Sequence, residues 1–139
     1  MPIFRRTTLG AAALAAGILA AGFASAEGDP TGTWLTETGD STVRISRCGA
    51  GYCGTVASTA NNGRDVNNPD ASLRSRPVTG IRLFTAGTPS KDGFSGTLYN
   101  PKDGKTYEGG LKVTGPNTVV VSGCVMSIFC KGQTWTRAK

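Results

Sequence analysis

The sequence contains no histidine, has only nine acidic residues in 139, and shows no sustained helical periodicity. Without imidazole the commonest general base is missing. No serine sits in a nucleophile-elbow pattern either. An enzyme is therefore the least favoured function class, and no catalytic residue or cofactor is expected. Long apolar runs are also scarce. The stretch from Leu9 to Ala24 carries no charge, but it is rich in Ala and Gly and weaker than the roughly 20 strongly apolar residues of a membrane span. Basic residues are present from Arg44 to Lys139 but never three together, so nucleic acid is not an expected partner.

The N-terminus carries an export pattern. Arg5 and Arg6 precede the uncharged stretch, and Ala24-Ser25-Ala26 supplies the small residues that signal peptidase recognises. A signal peptide over residues 1–26, cleaved after Ala26, is expected, with an uncleaved anchor as the bland alternative. Arg5-Arg6 with Leu9 is also a loose twin-arginine pattern, a pair that ordinary secretory signals share. Residues 27–139 then form a single domain, periplasmic or secreted. Two of the 15 basic residues leave with the leader and all nine acids stay. The remaining positive charge reads as a solubilising surface.

Four cysteines, Cys48, Cys53, Cys124 and Cys130, all lie in the exported part. An even count outside the cytoplasm argues for disulfides. Three pairings are open. The local one, Cys48 with Cys53 and Cys124 with Cys130, is preferred because each pair brackets a turn. Each short loop would contribute about 2 kcal/mol on the chain-entropy estimate. A four-cysteine zinc site is the rival, but both spacings are wider than the usual zinc pattern, so no metal is expected.

Short runs of Val, Ile, Thr and aromatic residues recur between turn residues, which is the all-β signature. Strands are expected at 33–36, 42–47, 52–58, 78–84, 93–99, 105–113, 118–124 and 130–137. In the second, Val43 and Ile45 alternate with Arg44 and Ser46, giving one buried and one wet face. Tyr107, Leu111 and Val113 share a face in the sixth. About eight antiparallel strands suit a small up-and-down β-barrel or a compact sandwich, and the barrel is preferred. A barrel brings its ends together, so Arg137 can lie across Trp34. That cation–π contact would contribute roughly 0.5–2 kcal/mol. The plainer reading makes Trp34 and Trp135 ordinary core aromatics.

The longest interval without strand pattern runs from Thr59 to Pro77. Loops of that length inside a small domain are usually functional or disordered. Asp65, Asn67, Asn68 and Asp70 can bond nearby backbone amides there, and Pro69 stiffens the turn. A calcium loop is disfavoured because Pro69 takes a ligand position and no Glu closes the loop.

Several motifs stand in a specific order. They are Gly32-Thr33-Trp34, Arg47-Cys48-Gly49 with Cys53-Gly54, Asp65-x-Asn67-Asn68-Pro69-Asp70 and Leu73-Arg74-x-Arg76-Pro77-x-x-Gly80. Tyr99-Asn100-Pro101-x-Asp103-Gly104-Lys105-x-Tyr107 and Gln133-Thr134-Trp135-Thr136-Arg137 follow. Together they resemble the exported bacterial family catalogued as domain of unknown function 2147. Asn100 stands where that family often has Asp. The Gly-x-Trp start with a late stacking Arg is similar to the arrangement of lipocalins. The resemblance implies a lipocalin-like barrel outside the cytoplasm and a small hydrophobic ligand, and it carries over no catalytic residues.

The favoured function is binding of a small hydrophobic or amphipathic ligand, with the Thr59–Pro77 loop at the barrel mouth. Arg74 and Arg76 are candidates to meet an anionic head group, since guanidinium forks suit carboxylate and phosphate. Asn67 and Asn68 join them as ligand contacts. The plainer reading has the arginines bonding Asp65 or Asp70 and fixing the loop. The alternative function is an envelope interaction or structural protein whose barrel is filled by its own side chains and holds no ligand. Trp34, Arg137, Asp65 and Asp70 are expected to be structural.

Overall fold

The computed structural model describes residues 28–138, where alternating apolar and polar residues form strands on either side of one long loop. The leader expected over residues 1–26 lies outside the described residues. The strands are β1 (Gly32–Leu35), β2 (Ser41–Cys48), β3 (Gly51–Thr59), β4 (Arg82–Ser90), β5 (Gly93–Asn100), β6 (Lys105–Gly115), β7 (Thr118–Val125) and β8 (Phe129–Arg137). Each pairs antiparallel with the next, and β8 returns to β1 through Trp34 opposite Arg137 and Leu35 opposite Thr136. The result is a closed, up-and-down barrel of eight strands. No helix of the described residues is long and apolar enough to cross a membrane.

Side chains fill one half of the barrel. Trp34, Ile45, Tyr52, Phe84, Leu111 and Val119 are buried there in one cluster. The Tyr52 and Phe94 rings meet edge to face at 5.0 Å, a preferred aromatic geometry. In β2, Val43 and Ile45 are buried while Arg44 and Ser46 are exposed, as the alternation requires. Both local disulfides, Cys48–Cys53 and Cys124–Cys130, are formed. Cys124 and Cys130 face each other across β7 and β8, which a short hairpin brings within bonding reach.

Arg137 closes this end. Its guanidinium carbon sits 4.4 Å from the centroid of the Trp34 ring. Gly32 has φ of 133°, and a Cβ there would stand 2.7 Å from Nη1 of Arg137. The glycine of the Gly-x-Trp motif therefore gives the arginine room to lie flat.

The fourth strand differs from expectation. It begins at Arg82 and runs to Ser90, not from Val78 to Phe84. Val78 to Ile81 form a turn instead, with the Ile81 amide donating to the Val78 carbonyl and Gly80 at φ of 98°. Thr85 to Ser90 is hard to read as strand because Gly87 and Pro89 interrupt it. Pro89 is tolerated beside the β4–β5 hairpin, opposite Phe94, near the end of the ladder.

Candidate functional site

The other half of the barrel is hollow. A cavity of about 860 Å³ opens between the β1–β2, β3–β4, β5–β6 and β7–β8 connections. Its floor and walls include Val43, Val56, Leu83, Leu98, Val121 and Trp135. The period of two along β8 sets its gradient. Trp135, Gln133, Lys131 and Phe129 all line the cavity, from the floor outward. Gln133 accepts a bond from Trp135 Nε1 at 3.0 Å, which fixes the indole at the floor.

The mouth carries cations. Arg64, Lys102 and Lys131 line it. Lys102 Nζ lies 3.7 Å from the Asp40 carboxylate across the opening. Tyr107, also in the lining, donates its hydroxyl to Asp103. That bond holds the Asp103 carboxyl below its ordinary range and raises the Tyr107 phenol.

Beside the mouth, the long loop is ordered around one buried carboxylate. Asp65 is 0% exposed. Its Oδ1 accepts from the Tyr99 hydroxyl at 2.7 Å, and its Oδ2 accepts from Asn68 Nδ2 at 2.8 Å and Arg76 Nε at 3.0 Å. Burial alone would raise this carboxyl, but the bonds from Asn68, Tyr99 and Arg76 outweigh it and leave Asp65 below its ordinary range. Tyr99 is pushed up to about 12, by burial first and then by its bond to Asp65. Asp70 caps the short 3-10 helix Ala71–Leu73, accepting from the Ser72 amide at 3.0 Å.

These positions separate the four candidate ligand contacts. Asn67 alone lines the cavity. Its Nδ2 donates to the carbonyls of Pro101 and Lys102, tying the loop to the β5–β6 turn. Arg76 is bound to Asp65, and Arg74 Nε donates to the Asn68 carbonyl at 2.7 Å, so both arginines fix the loop and neither faces the cavity. Asn68 is buried against Asp65. The reason is local and is the plainer of the two readings: Asp65 is the counterion of Arg76, and its oxygens accept from side chains and not from backbone amides. Sequence reasoning missed Tyr99 as a partner of Asp65, and Arg64, Lys102 and Lys131 as the cations at the mouth. The alternation along β8 was the one signal that could have placed Lys131.

The model of a family described as "Uncharacterized protein conserved in bacteria (DUF2147)" matches residues 32–137. Among solved structures, the chain is similar to protein HP1028 of Helicobacter pylori, described as belonging to the lipocalin family. The two are 21% identical with a TM-score of 0.67, over 80% of this chain and 84% of that one. At that identity the likeness establishes a shared fold. A comparison with curated proteins finds no match.

Proposed function

The chain belongs to the bacterial family of domain of unknown function 2147, and from its half-hollow barrel we propose that it binds a small hydrophobic or amphipathic molecule outside the cytoplasm. One observation carries this reading. A cavity of about 860 Å³ with an apolar floor is open at one end of a barrel otherwise packed shut. Its size lies within the roughly 300–1,000 Å³ of known ligand pockets. Arg64 and Lys131, the mouth cations outside an ion pair among the described residues, suit an anionic head group with its tail toward Trp135. The export pattern at the N-terminus and two disulfides support a periplasmic or secreted site of action. Binding without catalysis is the companion proposal, supported by a chain without histidine.

Native mass spectrometry of protein released gently from its own cell envelope tests the reading. An extra mass lost on organic extraction is expected. A fluorescent fatty acid should then bind the extracted protein saturably, and Leu98→Trp, which sets an indole into the apolar wall of the cavity, should weaken that binding. A bare protein mass together with no saturable uptake of the probe would count against ligand binding.

A further inference from the structure

On β8, between the floor of the cavity and its mouth, one side chain has its hydrogen bonding half complete. Trp135 is 2% exposed, and an indole nitrogen can only donate. Its bond therefore fixes the two ends of the Gln133 amide: Oε1 faces the indole, and Nε2 carries both N–H groups on the other side. That Nε2 has no hydrogen-bond partner among the described residues. It is not sealed away either, since Thr59 Oγ1 is the one buried side-chain polar atom among them without a partner. Gln133 lines the cavity, so the two N–H groups are offered to that space.

The surroundings make this donor selective. Its inward neighbours on β8 are Trp135 below and Lys131 above, each about 7 Å away along the strand. Both side chains are donors and neither accepts. Directly across the ladder stands Val121, 5% exposed. Glu37, on the β1 side, lies outside the lining and accepts from the Thr134 amide. A guest that reaches the floor strips water from the Gln133 amide and must bring an acceptor in exchange. A hydroxyl answers poorly, because Trp135, Lys131 and Val121 give its own proton nothing to bond. A carbonyl oxygen accepts and donates nothing, which matches a group that has only donors left. Few, fixed polar groups in an apolar lining are what give a pocket its specificity.

We propose, on the binding role given above, that the cavity selects an acyl amphiphile through its carbonyl. The apolar chain lies toward Trp135, and the ester or amide carbonyl accepts from Gln133 Nε2. The anionic head follows one inward position further out, near Lys131. An alkyl chain carrying the same head without the carbonyl is the ligand that the site ranks lower.

Monodecanoyl glycerol phosphate and its decyl ether test the selection. They share chain length and charge and differ at the carbonyl, so the comparison is blind to the charges at the mouth. Each is titrated against the fluorescent fatty acid on the disulfide-intact protein. The ester is expected to bind about five- to tenfold more tightly than the ether. Its isotope-labelled carbonyl stretch should move to lower wavenumber on binding. Gln133→Glu, at a pH where that carboxyl is ionised, keeps an acceptor for the Trp135 indole and removes the donors. The ester's advantage and the infrared shift should both disappear in it, and Gln133→Met should erase the advantage as well. Where a variant fails to fold, the parent's affinity ratio and infrared shift decide. Equal affinity for ester and ether, or an advantage that survives both substitutions, overturns the acyl selection and leaves ligand binding in place. Displacement by neither probe, with the fatty acid itself bound, does the same. If the fatty acid and both probes all fail to bind, the cavity's binding role falls, and the selection with it.

Discussion

The guanidinium of Arg137 stacks on the indole of Trp34 while its nitrogens donate to the carbonyls of Pro116, Thr31 and Asp29. One side chain near the C-terminus thereby ties down the N-terminal segment, the β6–β7 turn and the barrel floor. Trp34 answers from within, with Nε1 donating to the Pro30 carbonyl at 2.8 Å.

The stacked fork predicts the cost of its loss. Arg137→Lys keeps the charge but gives up the planar stack and the fixed set of donors. A loss of about 2 kcal/mol is expected from the cation–π and hydrogen-bond contributions. Urea unfolding checks it, and a lower midpoint with an unchanged slope is the expected result.

Asp65 predicts both a mutational and a pH effect. Asp65→Asn removes the charge facing Arg76 and should cost about 2 kcal/mol, discounted because Arg76 is partly solvated. The folded-state carboxyl of Asp65 is depressed, so its contribution is present above the ordinary value of 3.8 and lost as pH falls below it. Tyr99 titrates in the opposite sense. Its folded value is raised, so the contribution is full below the ordinary 10.0 and is lost as pH rises toward about 12. Unfolding free energy measured across pH should therefore show two shoulders, and Asp65→Asn should diminish the acid one, which Asp29, Asp40, Asp70 and Asp103 share.

Gly104 couples the loop to the mouth. It has φ of 72°, and a Cβ there would collide with the carbonyl oxygen of Asn67. Gly104→Ala should cost about 1–3 kcal/mol through backbone strain and should displace the loop. Hydrogen exchange is the direct measure. Amides at 65–78 should lose protection while those of β2 and β6 keep theirs.

The barrel was legible because its rules are local. Alternation at Val43 and Ile45, and turns at Cys48-Gly49-Ala50-Gly51 and Pro101-Lys102-Asp103-Gly104, set most strands without tertiary knowledge. The fourth strand was misplaced where tertiary pairing carries Gly87 and Pro89 through a ladder that their own preferences oppose. The site was less legible for a similar reason. Asp65 meets Tyr99 across 34 positions of sequence, a pairing that only closure of the barrel creates. Arg74 and Arg76 looked like ligand contacts because their chemistry suits anions, yet the loop's own carbonyls and carboxylate take up their donors first.

Under the proposed binding role, the packed half of the barrel also sets how a guest would move. With Trp34 and Arg137 plugging the far end, the hollow is a vessel with one neck and not a conduit. Any guest leaves by the route it entered, past Phe129 and Lys131. Such a vessel cannot impose direction on its cargo. Net flow would be decided by whatever the neck faces at each visit, a richer donor or a hungrier acceptor, and the protein's own contribution would be the height of the lip.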